Sequence, residues 1–219
     1  MNSETKLFAG IIAATFVIIV GAAFVFSRPT NTPPVDPKLL VTEDSYKFGS
    51  GSAVTLVEFG DFQCPACGAY HTVVKQLMEK YKDSMTLVFR HFPLNIHPNA
   101  VPASLAVEAA GVQGKFWEMY DKMYVTQSAW SNEKNPGDIF AGYAKDMGLD
   151  VEKFKKDMAD PSLKKRIDRD VADATTLGIN ATPSFYVNNV KISNPASLEE
   201  FDMLLKTAIE KSATPSSTP

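Results

Sequence analysis

Cys64 and Cys67 are the only cysteines in the 219-residue chain, and they share one short turn, Cys64-Pro65-Ala66-Cys67. A thiolate can be a nucleophile, a leaving group or a metal ligand. The pair is therefore a structural staple, half of a metal site, or a redox couple. A disulfide across so short a loop restrains the unfolded chain little. A structural zinc normally takes four ligands. Against its single C-x-x-C the chain offers 3 histidines, with His71 four residues beyond Cys67 but no second paired spacing. Reversible dithiol–disulfide chemistry is the reading this spacing favours.

Local geometry sharpens it. Proline suits the first position of a helix, where its missing N–H is not needed. Pro65 there puts Cys64 at the N-cap and Cys67 at the third helical position. An N-cap side chain faces the free amides of the first turn, and the helix dipole adds partial positive charge. Both effects favour a thiolate at Cys64, the attacking and leaving sulfur. Cys67, one turn deeper, is the expected resolving partner. Ala66 can neither donate a side-chain hydrogen bond nor carry charge, so it adds nothing to that stabilisation.

These residues need elements to hold them. Ala53–Phe59 is a nearly continuous apolar run, the pattern of a strand covered on both faces. Glu58 interrupts it on the same face as Val54 and Leu56, six residues before Cys64. Buried under a helix start, its carboxyl would be raised in pKa and could exchange a proton with Cys67; the plain alternative is a solvent-paired strand end. Helical spacing follows from Cys64 to about Lys82, then a second strand, Met85–Leu94. The result is a right-handed βαβ unit. Helical periods dominate the next eighty or so residues: Ala100–Ala110 stopping at Gly111, Lys115–Tyr124, Asp138–Met147, and a helix opened by Asp160-Pro161 and ended at Gly178. Strand residues return at Ser184–Asn188, turn at Asn188-Asn189 and continue over Val190–Ser193. A capping box at Ser197 starts a last helix, Leu198 to Lys211.

The remainder bounds location and partners. A formal charge of −3 gives no basic surface for nucleic acid. Leu7 to Phe26 is an uncharged run of 20 residues, long enough as a helix to span a bilayer and longer than most signal-peptide cores. We expect residues 1–27 to form an uncleaved transmembrane anchor. Residues 28–50, with four prolines, read as a spacer, 51–212 as the folded domain with its helical insertion over about 97–177, and 213–219 as a disordered tail.

The order βαβ, helical block, ββα is that of a thioredoxin-like α/β fold carrying an all-helical insertion. The chain resembles the DsbA-like thiol–disulfide oxidoreductases over about residues 45–211, through VEFGDFQCPAC at 57–67, FRHFPLNIHPNA at 89–100, GKFWEMYDKMY at 114–124 and GINATPSFYVN at 178–188. The resemblance implies an acid at Glu58, and a cis Thr182-Pro183 bond against the active site with the Thr182 backbone free to pair with extended substrate. It implies no cofactor beyond the Cys64–Cys67 disulfide. Its substrates would be unfolded or partly folded exported proteins, and a quinone-linked membrane thiol oxidase would reoxidise it. Family members with histidine in place of Ala66 should be stronger oxidants. The domain is expected outside the cytoplasm, since a working disulfide needs an oxidising compartment. A reduced isomerase or reductase is the second reading, though isomerases of this broad group often dimerise through an added N-terminal domain, for which the spacer leaves no room; a monomer is expected. A client-binding chaperone with incidental cysteines is the third. His97-Pro98 is expected to shape the start of the insertion, Phe62 and Gln63 to line an exposed groove rim, and Lys164-Lys165-Arg166 to be a solvated helix face.

Overall fold

A computed structural model of the protein describes residues 33–213. The expected anchor at 1–27 and nearly all of the tail lie outside the described residues; among those described, no helix is long and apolar enough to cross a membrane. Among the described residues, five strands form one sheet: β1 (Lys47–Phe48), β2 (Val54–Gly60), β3 (Met85–His91), β4 (Ser184–Val187) and β5 (Val190–Ile192). Their spatial order is β1-β3-β2-β4-β5. β2 and β3 run parallel, while β1 on β3, β4 on β2 and β5 on β4 are antiparallel. The parallel pair is joined by α1 (Pro65–Tyr81), completing the βαβ unit. The insertion comprises α2 (Ala100–Val112), α3 (Phe116–Val125), α4 (Gln127–Trp130), α5 (Gly137–Asp146), α6 (Val151–Met158) and α7 (Pro161–Thr176), and α8 (Leu198–Ala213) closes the fold.

Local signals produce these elements. Asn188 and Asn189 adopt φ of 47° and 68°, the left-handed pair of a tight hairpin turn. Asp160 caps α7 by accepting from the Ser162 amide at 2.7 Å. Ser197 accepts from the Glu200 amide at 3.2 Å, while Glu200 reaches back to the Ala196 amide at 2.7 Å. The α1–α8 layer covers one sheet face, where Val54 and Leu56 meet Val74, Leu77, Phe201 and Leu205.

Three expectations need correction. The stretch 28–50 is not a spacer throughout: Leu40 is fully buried, Lys47–Phe48 pairs with β3, and Tyr46 stacks on Phe116 at 4.0 Å. Its prolines hid a short edge strand. The first insertion helix runs past Gly111 to Val112, because Gly111 serves Tyr46, whose hydroxyl would lie 2.4 Å from a Cβ there. Gly114, at φ +77°, makes the turn instead. β3 stops at His91 rather than Leu94, since the Leu94 amide donates to Asp61 Oδ2 at 2.9 Å. Two short helices, α4 and α6, go unread in the sequence, although α6 opens on a local signal, the Asp150 carboxylate accepting from the Lys153 amide at 2.9 Å.

Candidate active site

β2 leads into the turn Asp61–Gln63, which delivers Cys64 as N-cap of α1 with Pro65 at its first position. Cys64 has extended backbone (φ −68°, ψ 122°) and is nearly buried, and Cys67 is wholly buried. Both are free thiols. The Cys64 thiol donates to the Thr182 carbonyl at 3.6 Å, and the Asp61 amide donates to Cys67 Sγ at 3.5 Å. Thr182-Pro183 is cis, as the resemblance implied, and Thr182 comes from the loop before β4 to face the sulfur.

The two thiols are driven apart in acidity. Cys64 is lowered to about 5, first by its hydrogen bond with the Cys67 thiol, against desolvation, then by Thr182 and the amides of Cys67 and Ala66. Sequence reasoning puts the helix amides first. They contribute, yet Cys64 makes no cap hydrogen bond through its side chain. Cys67 is held well above the usual thiol range by burial, then by its bond to Cys64 and the nearby Glu58 charge.

Glu58 is fully buried at the end of β2, between Phe89 and Phe185 of the neighbouring strands. Burial pushes its carboxyl up to about 8, against the lowering effect of the Tyr120 hydroxyl, which donates to Oε2 at 3.0 Å. A neutral carboxylic acid therefore sits next to the resolving sulfur at neutral pH. The solvent-paired alternative does not hold.

Other supporting residues depart from the sequence reading or escape it. Asp61 is fully buried, and its carboxylate accepts from the amides of Gln63 (2.7 Å) and Leu94 (2.9 Å), with His97 Nδ1 at 2.6 Å. His97 thus ties the start of the insertion to the active-site turn, as a shaping role requires. Phe62 and Gln63 do not line an exposed rim. Phe62 is buried among Phe89, Tyr120 and Tyr124, while Gln63 donates to the Ser131 carbonyl and accepts from the Asn99 amide. Gln127 of α4 donates to the carbonyls of Phe62 and Cys64 at 2.7 and 2.9 Å. His71 is buried, 3.0 Å from Asp121, and among the described residues no three side chains of metal-ligating type are grouped to hold an ion.

Behind the site lies a charged network. Arg90, almost wholly buried, donates to Asp170 at 2.8 Å, Asp173 at 2.5 Å and the Leu39 carbonyl at 3.0 Å. His91 meets Glu108 at 2.9 Å. Arg166 pairs with Glu108 at 3.1 Å and lies over Tyr46, so it is no part of a solvated face. Lys164 does fit that reading, pairing with exposed Asp168.

The thioredoxin family signature matches residues 43–207. The Na(+)/H(+) antiporter NhaA 1 of Salinispora arenicola is 36% identical over 176 residues, 80% of this chain and 26% of that protein. The chain spans about a quarter of the length of the curated relatives it matches. A thioredoxin-like oxidoreductase from Silicibacter pomeroyi DSS-3 has the same fold at TM-score 0.67 and 26% identity, covering 81% of this chain and 97% of that one. Wolbachia pipientis alpha-DsbA1 superposes at TM-score 0.70 and 23% identity over 80% of this chain and 95% of its own. With a βαβ–ββα core, helices inserted between β3 and β4, and a C-x-x-C pair heading α1, the chain belongs to the thioredoxin family.

Proposed function

We propose that the protein is a thiol–disulfide oxidoreductase that introduces disulfides into unfolded or partly folded exported proteins. The observation that carries this is the opposed acidity of the two thiols: Cys64 lowered to about 5 and Cys67 held high above a neutral Glu58. A substrate thiolate attacks Cys64 Sγ of the oxidised pair, the S–S bond breaks, and its electron pair passes to Cys67 Sγ. Glu58 supplies the proton, leaving Cys67 as a thiol and Glu58 as a carboxylate. A second substrate thiolate then attacks the substrate sulfur of the mixed disulfide. Cys64 leaves as the stabilised thiolate, and the substrate carries a disulfide.

The Thr182 backbone beside Cys64 offers main-chain pairing to an extended client, a recognition mode indifferent to most side chains. Pro65 and Ala66 hold the turn, and Ala66 leaves the oxidant weaker than relatives bearing histidine there. A membrane thiol oxidase linked to quinone would restore the disulfide. The apolar run Leu7 to Phe26 would anchor the domain on the extracytoplasmic face of a membrane as a monomer. Ion exchange, the activity named for the antiporters, forms no part of this reading, because the shared quarter is the thioredoxin-type segment.

Acid quenching and thiol alkylation of the protein in its own cells test the direction. A mostly oxidised Cys64–Cys67 pair is expected. A mostly reduced pair would overturn the oxidase reading in favour of an isomerase or reductase. Unimpaired function of a Cys64→Ala variant would favour the chaperone.

A further inference from the structure

Tyr124 is a buried residue near the sulfurs whose polar atom has no task in the exchange chemistry described so far. Its hydroxyl is inaccessible and has no hydrogen-bond partner among the described residues. A buried hydroxyl without a partner is costly and calls for a reason. Tyr124 also lies in the same buried cluster as Cys64 and Cys67.

Its position is fixed from several sides. Its ring packs at 4.9 Å on Phe62, at 5.1 Å on Tyr120, and at 5.2 Å on His71, one helical turn beyond Cys67. Its oxygen lies against Gly60, where a Cβ would come within 3.1 Å of it. Gly60 immediately precedes Asp61, whose amide donates to Cys67 Sγ. Tyr120, its neighbour one turn back, is bonded to Glu58 Oε2, while Glu58 Oε1 is buried and likewise without a partner. The titratable groups facing Tyr124 are Glu58 and Asp61 from β2 and its turn, Cys67 and His71 from α1, and Tyr120 from its own helix. Burial first, then the charges of Cys67 and Glu58, hold the phenol well above its usual range, so it stays a donor throughout the cycle.

We infer that the Tyr124 hydroxyl, unused in the dithiol protein, donates a hydrogen bond to Cys67 Sγ as that sulfur gains negative charge on leaving the Cys64–Cys67 disulfide. The inference rests on the exchange chemistry proposed above and adds one residue to it. When the S–S electron pair arrives on Cys67, Tyr124 and the Asp61 amide stabilise it from two directions. The proton from Glu58 then completes the thiol and ends the need for the phenol. Gly60 leaves room for the Phe89 ring, which would lie 2.4 Å from a Cβ there, as well as for the Tyr124 hydroxyl at 3.1 Å.

Tyr124→Phe removes the oxygen alone. In the full chain, reduction of the Cys64–Cys67 disulfide by dithiothreitol is expected to slow about tenfold or more, the worth of one hydrogen bond to a charged acceptor. Folding stability of the dithiol form should be unchanged or raised. In a Cys64→Ala background, thiolate absorbance should show Cys67 ionising at higher pH when the Tyr124→Phe change is added than when the tyrosine is kept. Replacing Tyr124 by 3-fluorotyrosine, a stronger donor of nearly the same shape, should move both readouts the opposite way and needs no loss of packing. Equal rates and equal Cys67 ionisation in all three proteins would overturn the role of Tyr124 while leaving the exchange reaction standing. An inert disulfide in the wild-type protein would instead sink the reaction itself.

Discussion

Glu58→Gln offers the sharpest test of how the site is built. In the folded dithiol protein burial raises the Glu58 carboxyl from an ordinary 4.5 to about 8. A raised acid is bound to its proton in the folded chain at pH values where the unfolded chain has released it. Its contribution is therefore harmless below about pH 4.5, grows more destabilising as pH rises towards 8, and is constant above. Each pH unit in that window is worth about 1.4 kcal/mol, so the penalty is about 3 kcal/mol at pH 7 and about 5 kcal/mol above pH 8. Glutamine is nearly isosteric, keeps an oxygen to accept from Tyr120, and does not titrate. Its amide adds donors in an apolar place, a fixed offset that does not depend on pH. Urea unfolding of both proteins, held reduced with a phosphine, should show glutamine gaining on glutamate by about 1.4 kcal/mol per unit between pH 4.5 and 8. Disulfide exchange at neutral pH should fall at the same time, because Cys67 loses its proton donor. A difference flat in pH would refute the buried, neutral Glu58; a difference shrinking with pH would mean the carboxylate is stabilised rather than desolvated.

Four further outcomes follow from the geometry. Thiolate absorbance of the reduced protein should titrate with a midpoint at about 5, and Cys67→Ala should move that midpoint up, because the Cys67 thiol is the first cause of the Cys64 shift; an unmoved midpoint assigns the shift to the helix amides instead. The depressed value stabilises the reduced fold at high pH and is lost as pH falls through about 5, so the dithiol form should gain stability between pH 5 and 9 relative to Cys64→Ser. Arg90→Leu leaves buried Asp170 with only the more distant Arg169 guanidinium, 3.8 Å away, and should lower unfolding free energy by about 3–5 kcal/mol, with a loss under about 1 kcal/mol contradicting the network. Gly111→Ala should cost about 1–3 kcal/mol by displacing Tyr46 from Phe116, and much less in a Tyr46→Ala background, which a thermodynamic cycle would read.

What could be read from sequence was what neighbouring residues decide between them. Pro65 after Cys64 states a helix start, Asp160-Pro161 another, and Asn188-Asn189 a left-handed turn, because each depends on backbone sterics within a few positions. Glu58 was legible because a charge on the covered face of an apolar strand has few innocent explanations. Asp61 was not. An aspartate in a turn ordinarily satisfies itself locally, and here its partners Leu94 and His97 stand 33 and 36 positions away. Arg90 was hidden the same way, although Asp170 and Asp173, three apart on one helix, are the spacing that two carboxylates need to share a guanidinium. Pairings of this kind are invisible until the chain is folded.

That asymmetry bears on what the insertion is for. The α/β core supplies both sulfurs, the acid and the Thr182 carbonyl, which is everything the exchange reaction consumes. The insertion supplies the surroundings that set their acidity. Tyr120 and Tyr124 of α3 close over Glu58 and Cys67, and Gln127 of α4 holds the carbonyls of Phe62 and Cys64. Burial is the first cause of the raised Glu58 and of the raised Cys67, and much of that cover comes from α3. A loosened α3 would admit water beside both groups, bring them back towards ordinary acidity, and weaken the proton transfer without moving either sulfur. On this reasoning substitutions at Met119 or Met123, buried core residues of α3 that touch no step of the reaction, should alter exchange kinetics through the Glu58 titration more than through Cys64. Comparing both midpoints in a Met123→Ala variant would decide it: a shift at Cys64 alone would place the control of acidity in the helix start rather than in the inserted cover.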